Sequence, residues 1–177
     1  MLDMTKRKKV WIAAAALVLL LSGCGAVQKD NGTGGSVSPS PEPPVVEQQS
    51  MELTIYAVEN ESMELTERTE KVFYSNDHEL LGAAIASLQA DPGNGSASLW
   101  KPIPIHSTQL KDGIVTIDIA LPDEARVGAP GEMQLLESLK KTLFQLDFVD
   151  GIEILVDGNE TESLMGHVGL DYPMTRE

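Results

Sequence analysis

Alternating hydrophobic and polar positions predict most of the strands of this chain. The alternation indicates five strands, at residues 53–58, 70–74, 103–110, 114–120 and 152–156. The third and fourth are joined at Asp112-Gly113, a dipeptide that favours a two-residue hairpin turn because both positions require a positive φ. The last strand ends at a second Asp-Gly pair, Asp157-Gly158. These strands are short and most of them have neighbours in sequence, as in an antiparallel sheet.

Two further segments have the period of a helix. The first begins at Asn76, which together with Glu79 resembles a capping box, and a turn at residues 91–93 ends it. Its apolar face consists of Leu81, Ala84, Ile85 and Leu88. The second opens at residues 130–131, and its apolar stripe consists of Leu136, Leu139, Leu143 and Leu146.

The element order β-β-α-β-β-α-β predicts the fold class of residues 51–177. Hairpins mixed with helices indicate an α+β domain, with a mostly antiparallel sheet and two helices packed on one of its faces. The segment has 127 residues, enough to bury a core without the help of disulfides.

Residues 1–23 have the pattern of a lipoprotein signal peptide. Four basic residues at positions 6–9 precede an apolar run of 12 residues at 10–21, which is shorter than a membrane-spanning helix needs. The run ends in Leu21-Ser22-Gly23-Cys24, which looks like a bacterial lipobox. We therefore predict that Cys24 is lipidated and becomes the first residue of the mature chain. The alternative is a retained helix that extends through Val27, with its least hydrophobic residues at one end.

Residues 24–50 are predicted to be the lipidated cysteine followed by a tether. Glycine, serine and proline dominate this segment, which combines a flexible stretch at 32–36 with an extended proline-rich stretch at 39–44. A flexible chain of this length has a root-mean-square reach of roughly 25–30 Å.

The charge of the chain is strongly uneven along its length. Its formal net charge is −14, but this comprises +3 for residues 1–23, −2 for 24–50 and −15 for 51–177. Such acidity excludes nucleic acid as a partner, because no basic surplus exists to neutralise phosphates. It also leaves any attachment to an anionic membrane to the lipid.

Several motifs of the domain resemble those of the GerMN family, the sporulation and spore germination domain, over roughly residues 51–174. A proline-containing entry at 99–104 leads into a hairpin whose second strand has a Gly-hydrophobic-Asp pattern at 113–119. After the second helix, a strand runs into Asp-Gly at 154–158, and a Gly-His turn and a proline follow at 166–173. Residues 126–131 depart from the family pattern, which is often rich in Gly and Ser there.

The resemblance implies a non-enzymatic extracytoplasmic domain that acts as a scaffold or interaction module in sporulation or spore germination. With the lipobox, it predicts a lipoprotein that is anchored through its lipid on the outer face of the cell membrane. Its expected partner is an envelope or spore-assembly protein, and the resemblance also allows self-association. No cofactor is implied. Two alternatives stay open: an envelope lipoprotein that binds a cell-wall fragment or germinant, and a wall hydrolase.

The sequence offers no local signature of a catalytic or metal site. Cys24 is assigned to lipid, and His78, His106 and His167 are far apart and form no pair with helical ligand spacing. We expect His167 to stabilise a turn by hydrogen bonding. Five glutamates crowd residues 59–70, which indicates either a solvated hairpin or a surface for cations or a basic partner.

Overall fold

A computed structural model describes residues 48–176 of the chain. The predicted signal peptide at 1–23, the predicted lipidation site Cys24 and residues 24–47 of the predicted tether lie outside the described residues. Within the described part, no helix combines the length and apolar character that a bilayer crossing requires.

The described residues form seven strands, two α-helices and one short 3₁₀ helix. The strands are β1 (Gln49–Glu59), β2 (Leu65–Tyr74), β3 (Ser96–Ala97), β4 (Ile105–Lys111), β5 (Ile114–Ile119), β6 (Gly151–Val156) and β7 (Met174–Thr175). The helices are α1 (Asp77–Gln89) and α2 (Ala129–Leu143), and the 3₁₀ helix spans Asp123–Ala125.

The strands divide into two sheets. One has the order β2-β1-β3 and is antiparallel throughout, and the other has the order β4-β5-β6-β7. In the second sheet β5 and β6 run parallel, because α2 lies in the connection between them and returns the chain to the same end of the sheet. The predicted α+β class, with two helices and sheets rich in antiparallel pairs, is confirmed, and the division into two sheets is a feature that the strand pattern does not contain.

The two Asp-Gly pairs form tight turns with left-handed backbone. Asp112 and Gly113 have φ values of 50° and 80° and connect β4 to β5. Asp157 and Gly158 have φ values of 50° and 76°, and Val156 and Asn159 on either side of them exchange both backbone hydrogen bonds. The positive φ angles at both positions of each pair match the reason for which these dipeptides were predicted to be turns.

One hydrophobic core connects both sheets and both helices. Its centre includes Leu53 and Ile55 of β1, Ile117 of β5 and Ile154 of β6, all at most 1% exposed. Trp100 is equally buried, and its indole N–H donates to the carbonyl oxygen of Leu135 in α2 at 2.9 Å.

Helix α1 begins and ends close to the predicted positions. The Asn76 side chain accepts a hydrogen bond from the Glu79 N–H at 3.0 Å, while the Glu79 carboxylate accepts from the N–H of Ser75 at 2.8 Å. The cap is therefore reciprocal, with the second bond one residue earlier than in a standard capping box.

Beyond the helix, a hydrogen bond from the Lys101 ammonium, with a second from the Gly93 N–H, lowers the pKa of the exposed Asp91 carboxyl below its ordinary 3.8.

The predicted apolar stripes lie in the core. Leu81, Ala84, Ile85 and Leu88 of α1 are all buried, as are Leu136, Leu139, Leu143 and Leu146. Helix α2 ends at Leu143, however, so Leu146 enters the core from the turn that follows the helix. Its position is maintained by a backbone hydrogen bond from its own N–H to the carbonyl oxygen of Leu143.

The strand boundaries differ most from the prediction in β2, which starts at Leu65 and not at residue 70. Thr66, Glu67 and Thr69 are exposed, because β2 is the outermost strand of its sheet and only part of its surface faces the core. A strand with such a surface has little hydrophobic alternation to detect. The strands β3 and β7 were not predicted, because two residues are too few to show any alternation.

Candidate functional site: the groove between helix α2 and the C-terminal segment

Helix α2 and the last residues of the described chain border an open groove. Its first part has a volume of about 270 Å³ and is bordered by Met133, Leu136, Glu137 and Lys140 of α2 and by Val168, Gly169, Asp171, Met174, Thr175 and Arg176. Its second part, about 310 Å³, continues along α2 and is lined by Glu137, Lys140, Lys141, Phe144 and Arg176. Because the two parts share three residues, we describe them together as the α2–tail groove.

A buried carboxylate attaches the C-terminal loop to the start of α2. Glu132 lies in the first turn of the helix and is 0% exposed. Its Oε1 atom accepts from the Met165 N–H at 2.9 Å, and its Oε2 atom accepts from the His167 N–H at 3.0 Å. Negative charge is also favourable at this end of a helix. One wall of the groove is therefore positioned by two charge-assisted hydrogen bonds.

A tyrosine attaches the same loop to the second sheet. The Tyr172 hydroxyl accepts from the Thr161 N–H at 2.9 Å and lies 2.9 Å from the carbonyl oxygens of Ile154 and Thr161. The loop between β6 and β7 is thereby attached at two places, near its middle to α2 by Glu132 and near its C-terminal end to β6 by Tyr172. This arrangement gives a structural role to the unusual tail of the sequence.

Arg176 is fixed at the far end of the groove. Its guanidinium donates to the carbonyl oxygens of Leu146 and Val149, at distances between 2.8 and 3.1 Å, in the turn that follows α2. It also lies over the Phe144 ring, 5.6 Å from the ring centroid. The arginine is thus held in place by the protein before any ligand arrives.

The groove is the part of this acidic domain where positive charge gathers. Residues 51–177 hold 8 basic and 23 acidic side chains, yet Lys140, Lys141 and Arg176 border the groove alongside the acidic residues Glu137 and Asp171. Lys140 and Lys141 each lie within 4 Å of the Glu137 carboxylate, at 3.8 and 3.7 Å. Apolar area accompanies this charge, since Met133 is 58% exposed. The combination suits a peptide segment with both acidic and apolar side chains.

The three histidines lie on separate elements. His78 is exposed in the first turn of α1, and His106 in β4 has its Nε2 atom 3.2 Å from the Asp157 carboxylate. His167 is exposed in the C-terminal loop. The turn around His167 does involve a hydrogen bond, but the donor is the main-chain N–H and the acceptor is Glu132.

The acidic segment at 59–70 forms the first hairpin. Glu59 ends β1, Glu61 and Glu64 lie in the connection, and Glu67 and Glu70 belong to β2. Of these, Glu70 pairs with Arg68 at 2.8 Å. Within residues 48–176, no three His, Cys, Asp or Glu side chains come together in a group that could hold a metal ion.

Glu132 was not predicted as a site residue, although the sequence carries a signal for it. It lies four positions before Leu136 and seven before Leu139, so it falls on the apolar stripe of α2. A carboxylate on the buried face of a helix requires hydrogen-bond donors, which indicates a structural or functional role. The identity of those donors, in a loop more than thirty residues away, depends on the tertiary structure.

Comparisons with known proteins place this geometry in context. The sequence profile of the Germane family, described as sporulation and spore germination, matches residues 54–162. A comparison with proteins of curated function gives no match.

Three solved structures are similar in fold. A Clostridium perfringens protein provisionally assigned as a lipoprotein is 22% identical, with a TM-score of 0.50 over 77% of this chain and 93% of that one. The tandem GerMN domains of the sporulation protein GerM from Bacillus subtilis are 21% identical, with a TM-score of 0.51 over 79% of this chain. This chain covers only 49% of that tandem structure. The first GerMN domain of the same protein is 14% identical, with a TM-score of 0.56 over 71% of this chain and 98% of that domain.

Proposed function

This chain belongs to the Germane family of sporulation and spore germination domains, and from that membership we propose that it is a membrane-anchored extracytoplasmic lipoprotein. Its domain acts without catalysis, as an interaction module that binds an envelope or spore-assembly protein during sporulation or germination. The observation that carries the interaction role is the α2–tail groove, where exposed apolar side chains and the clustered cations of an acidic domain occur together.

The anchor in this proposal is Cys24. A basic segment, a short apolar run and small residues directly before the only cysteine of the chain support lipidation at that position. The similar structure from Clostridium perfringens is provisionally assigned as a lipoprotein, which agrees with an anchored arrangement for this chain. Two acyl chains give durable attachment, and a flexible tether before β1 would let the domain reach partners roughly 25–30 Å from the membrane.

The groove is suited to a protein partner because its walls are fixed in advance. Glu132 attaches one wall and Arg176 is anchored to backbone carbonyls at the other end. A preformed surface loses little conformational entropy on binding, so more of the contact energy appears as affinity. We expect the partner segment to place acidic side chains near Lys141 and Arg176, and an apolar side chain near Met133.

The anchor is tested by the substitution Cys24→Ala. The substituted protein should lack the mass of the acyl chains, fail to incorporate labelled palmitate and leave the membrane fraction or accumulate unprocessed. Ser22→Ala, which keeps a small residue in the motif, should be processed normally. Unchanged mass and membrane retention in Cys24→Ala would contradict the proposed anchor.

The interaction role is tested in sporulating cells with a photo-crosslinking residue in place of Met133, which is 58% exposed in the groove. The control carries the same residue at Thr108, an exposed position in β4 on another part of the domain. An envelope or spore-assembly protein should be crosslinked from position 133 and not from 108. Equal crosslinking from both positions, or none from 133, would argue against the groove as the binding surface.

The charge of the groove is tested by comparing Lys141→Glu with Lys111→Glu, an equal change at an exposed lysine of β4. Lys141→Glu should reduce the crosslinking yield from position 133 and impair sporulation or germination, while Lys111→Glu should change neither. Both are surface substitutions, so their effect on folding should stay within about 1 kcal/mol.

A further inference from the structure

We propose that two copies of this chain pair edge to edge through β2. The two β2 strands run antiparallel, with Thr69 of one copy opposite Thr69 of the other, and join the two three-stranded sheets into one continuous sheet. The partner that pairs with the free edge of β2 is thus a second copy of the same chain.

The outer edge of β2 has backbone groups available for this pairing. β2 is the last strand of its sheet, and it extends over ten residues. Thr54, the partner of Thr69 in the β1–β2 ladder, directs its N–H and C=O away from β2, because both bond to the Gln145 side chain at 2.8 and 2.7 Å. Thr54 and Thr69 are therefore a non-hydrogen-bonded pair, and the N–H and C=O of Thr69 point to the open edge.

The same alternation applies along the whole strand. Every second residue of β2, namely Leu65, Glu67, Thr69, Lys71 and Phe73, directs its backbone N–H and C=O away from β1. Among the described residues, no hydrogen bond reaches the backbone of these five on that side. An antiparallel partner centred on Thr69 would meet all five with matching donors and acceptors.

The side chains of β2 are complementary to themselves in this register. With Thr69 opposite Thr69, Glu67 of each copy faces Lys71 of the other, and Arg68 faces Glu70. Leu65 faces Phe73, which is 59% exposed in the single chain and would gain an apolar neighbour. Opposite charges and apolar groups directly across an antiparallel pair are stabilising, whereas like charges in that position are destabilising.

Neighbouring registers lack this complementarity. Moving the two-fold axis by one residue places Arg68 opposite Arg68 or Glu70 opposite Glu70. Moving it by two residues places Glu67 opposite Glu67 or Lys71 opposite Lys71. The charges that protect this edge from arbitrary strands therefore select one self-pairing and reject those beside it.

The first experiment reverses these charges in the full chain, held in mild detergent, and measures self-association by analytical ultracentrifugation. Glu67→Lys alone and Lys71→Glu alone each place like charges opposite one another, so each should weaken self-association by roughly tenfold or more. A mixture of the two variants should form heterodimers, because each strand then meets the opposite charges of the other. Monomers at every concentration of the unchanged chain, or a mixture that associates no better than its components, would overturn the proposal.

Thr69→Pro provides a variant that blocks the edge without touching the β1–β2 ladder. Its missing N–H is the one that faces outward, so the fold should persist, as shown by an unchanged circular dichroism spectrum. Self-association should be lost. A folded Thr69→Pro variant that still associates as the unchanged chain does would place the contact elsewhere and refute the pairing.

The register is tested by disulfide crosslinking of full chains that carry Cys24→Ala and one new cysteine each. Thr69→Cys should form a disulfide dimer under mild oxidation, because directly opposite residues lie about 5.5 Å apart between their Cα atoms. Glu67→Cys and Lys71→Cys should not crosslink alone but should do so when mixed. Crosslinking of each of the three alone with equal yield, or of none of them in any combination, would contradict the register.

Discussion

At the scale of single residues, the chain places its least expected polar group where it organises the candidate site. Glu132 is wholly buried, yet both of its carboxylate oxygens accept hydrogen bonds from main-chain N–H groups of the C-terminal loop. A buried carboxylate is tolerated because these donors replace the water that it has lost. The residue therefore acts on the groove indirectly, by holding the loop that forms one of its walls.

Replacing Glu132 with alanine should lower the free energy of unfolding by about 2–4 kcal/mol. The reason is that two partly buried N–H groups, those of Met165 and His167, lose a charged acceptor. Urea denaturation measures the loss, and hydrogen exchange at the two amides should become faster. Glu137→Ala is the matched control, because Glu137 lies on the same helix with its side chain 38% exposed, and it should change stability by less than about 1 kcal/mol.

At the scale of elements, the side chain of Gln145 makes the two backbone hydrogen bonds to Thr54 that a neighbouring strand would otherwise make. Along the inner edge of β1, the Gln145 amide donates to the Thr54 carbonyl oxygen and accepts from the Thr54 N–H. It also donates to the carbonyl oxygen of Thr142 at the end of α2. At Thr54, which β3 does not reach, the backbone N–H and C=O of β1 are thus bonded to a side chain from the turn after α2. Within the described part of the chain, no strand of the second sheet pairs with β1 there, which is consistent with the strands forming two sheets.

The substitution Gln145→Met should cost about 1–3 kcal/mol, because methionine fills a similar volume but leaves both backbone groups of Thr54 without this partner. Chemical denaturation gives the free energy, and hydrogen exchange at the Thr54 amide gives the local effect. Gln109→Met, at an exposed position of β4, should be nearly neutral. Similar losses in both variants would show that the amide of Gln145 has no special role.

Two glycines should respond in opposite ways to substitution by alanine. Gly82 lies inside α1 with no atom within 4 Å of an added Cβ, so Gly82→Ala should raise stability by about 0.5–1 kcal/mol. Gly113 has a φ of 80°, and an added Cβ would overlap the Asp150 carboxylate. Gly113→Ala should lower stability by about 1–3 kcal/mol. Thermal melts of the two variants test the contrast, and a loss in both would contradict the helix-propensity argument.

At the scale of the whole molecule, charge and anchoring oppose each other. The domain carries −15 over residues 51–177, so an anionic membrane repels the body that the proposed lipid attaches to it. In the proposed anchored form, this repulsion would hold the domain off the lipid surface, and the predicted tether would limit how far it moves. Three of the eight basic side chains of residues 51–177, those of Lys140, Lys141 and Arg176, border the α2–tail groove.

This opposition predicts that the lipid supplies all of the membrane affinity. The acylated protein should sediment with vesicles that contain anionic lipid, and the Cys24→Ala protein lacking residues 1–23 should stay in solution at ionic strengths between about 0.05 and 0.2 M. Neutral vesicles are the control for charge. Binding of the unacylated protein to anionic vesicles at low salt would show that the body contributes an attraction of its own.

The amino-acid sequence by itself determined the features that depend on neighbouring residues. The Asp-Gly turns, the Asn76 cap and the apolar stripes of both helices are local, because φ preferences and the period of hydrophobic residues act over a few positions. The family resemblance rested on the same local patterns and is confirmed by the Germane match. The first part of β2 escaped detection because an edge strand needs little hydrophobic alternation.

The tertiary structure alone decided which distant groups meet. Glu132 meets a loop 33 and 35 residues away, and Gln145 meets Thr54 across 91 residues. Arg176 meets the turn after α2, and the resulting groove joins this distant arginine to the adjacent pair Lys140 and Lys141. No local preference encodes such pairings, because they follow from how the two sheets and two helices pack around one core. The tertiary structure likewise decides which residues of β2 direct their backbone N–H and C=O to the open edge. It does so because the Thr54 backbone bonds to Gln145 and not to β2.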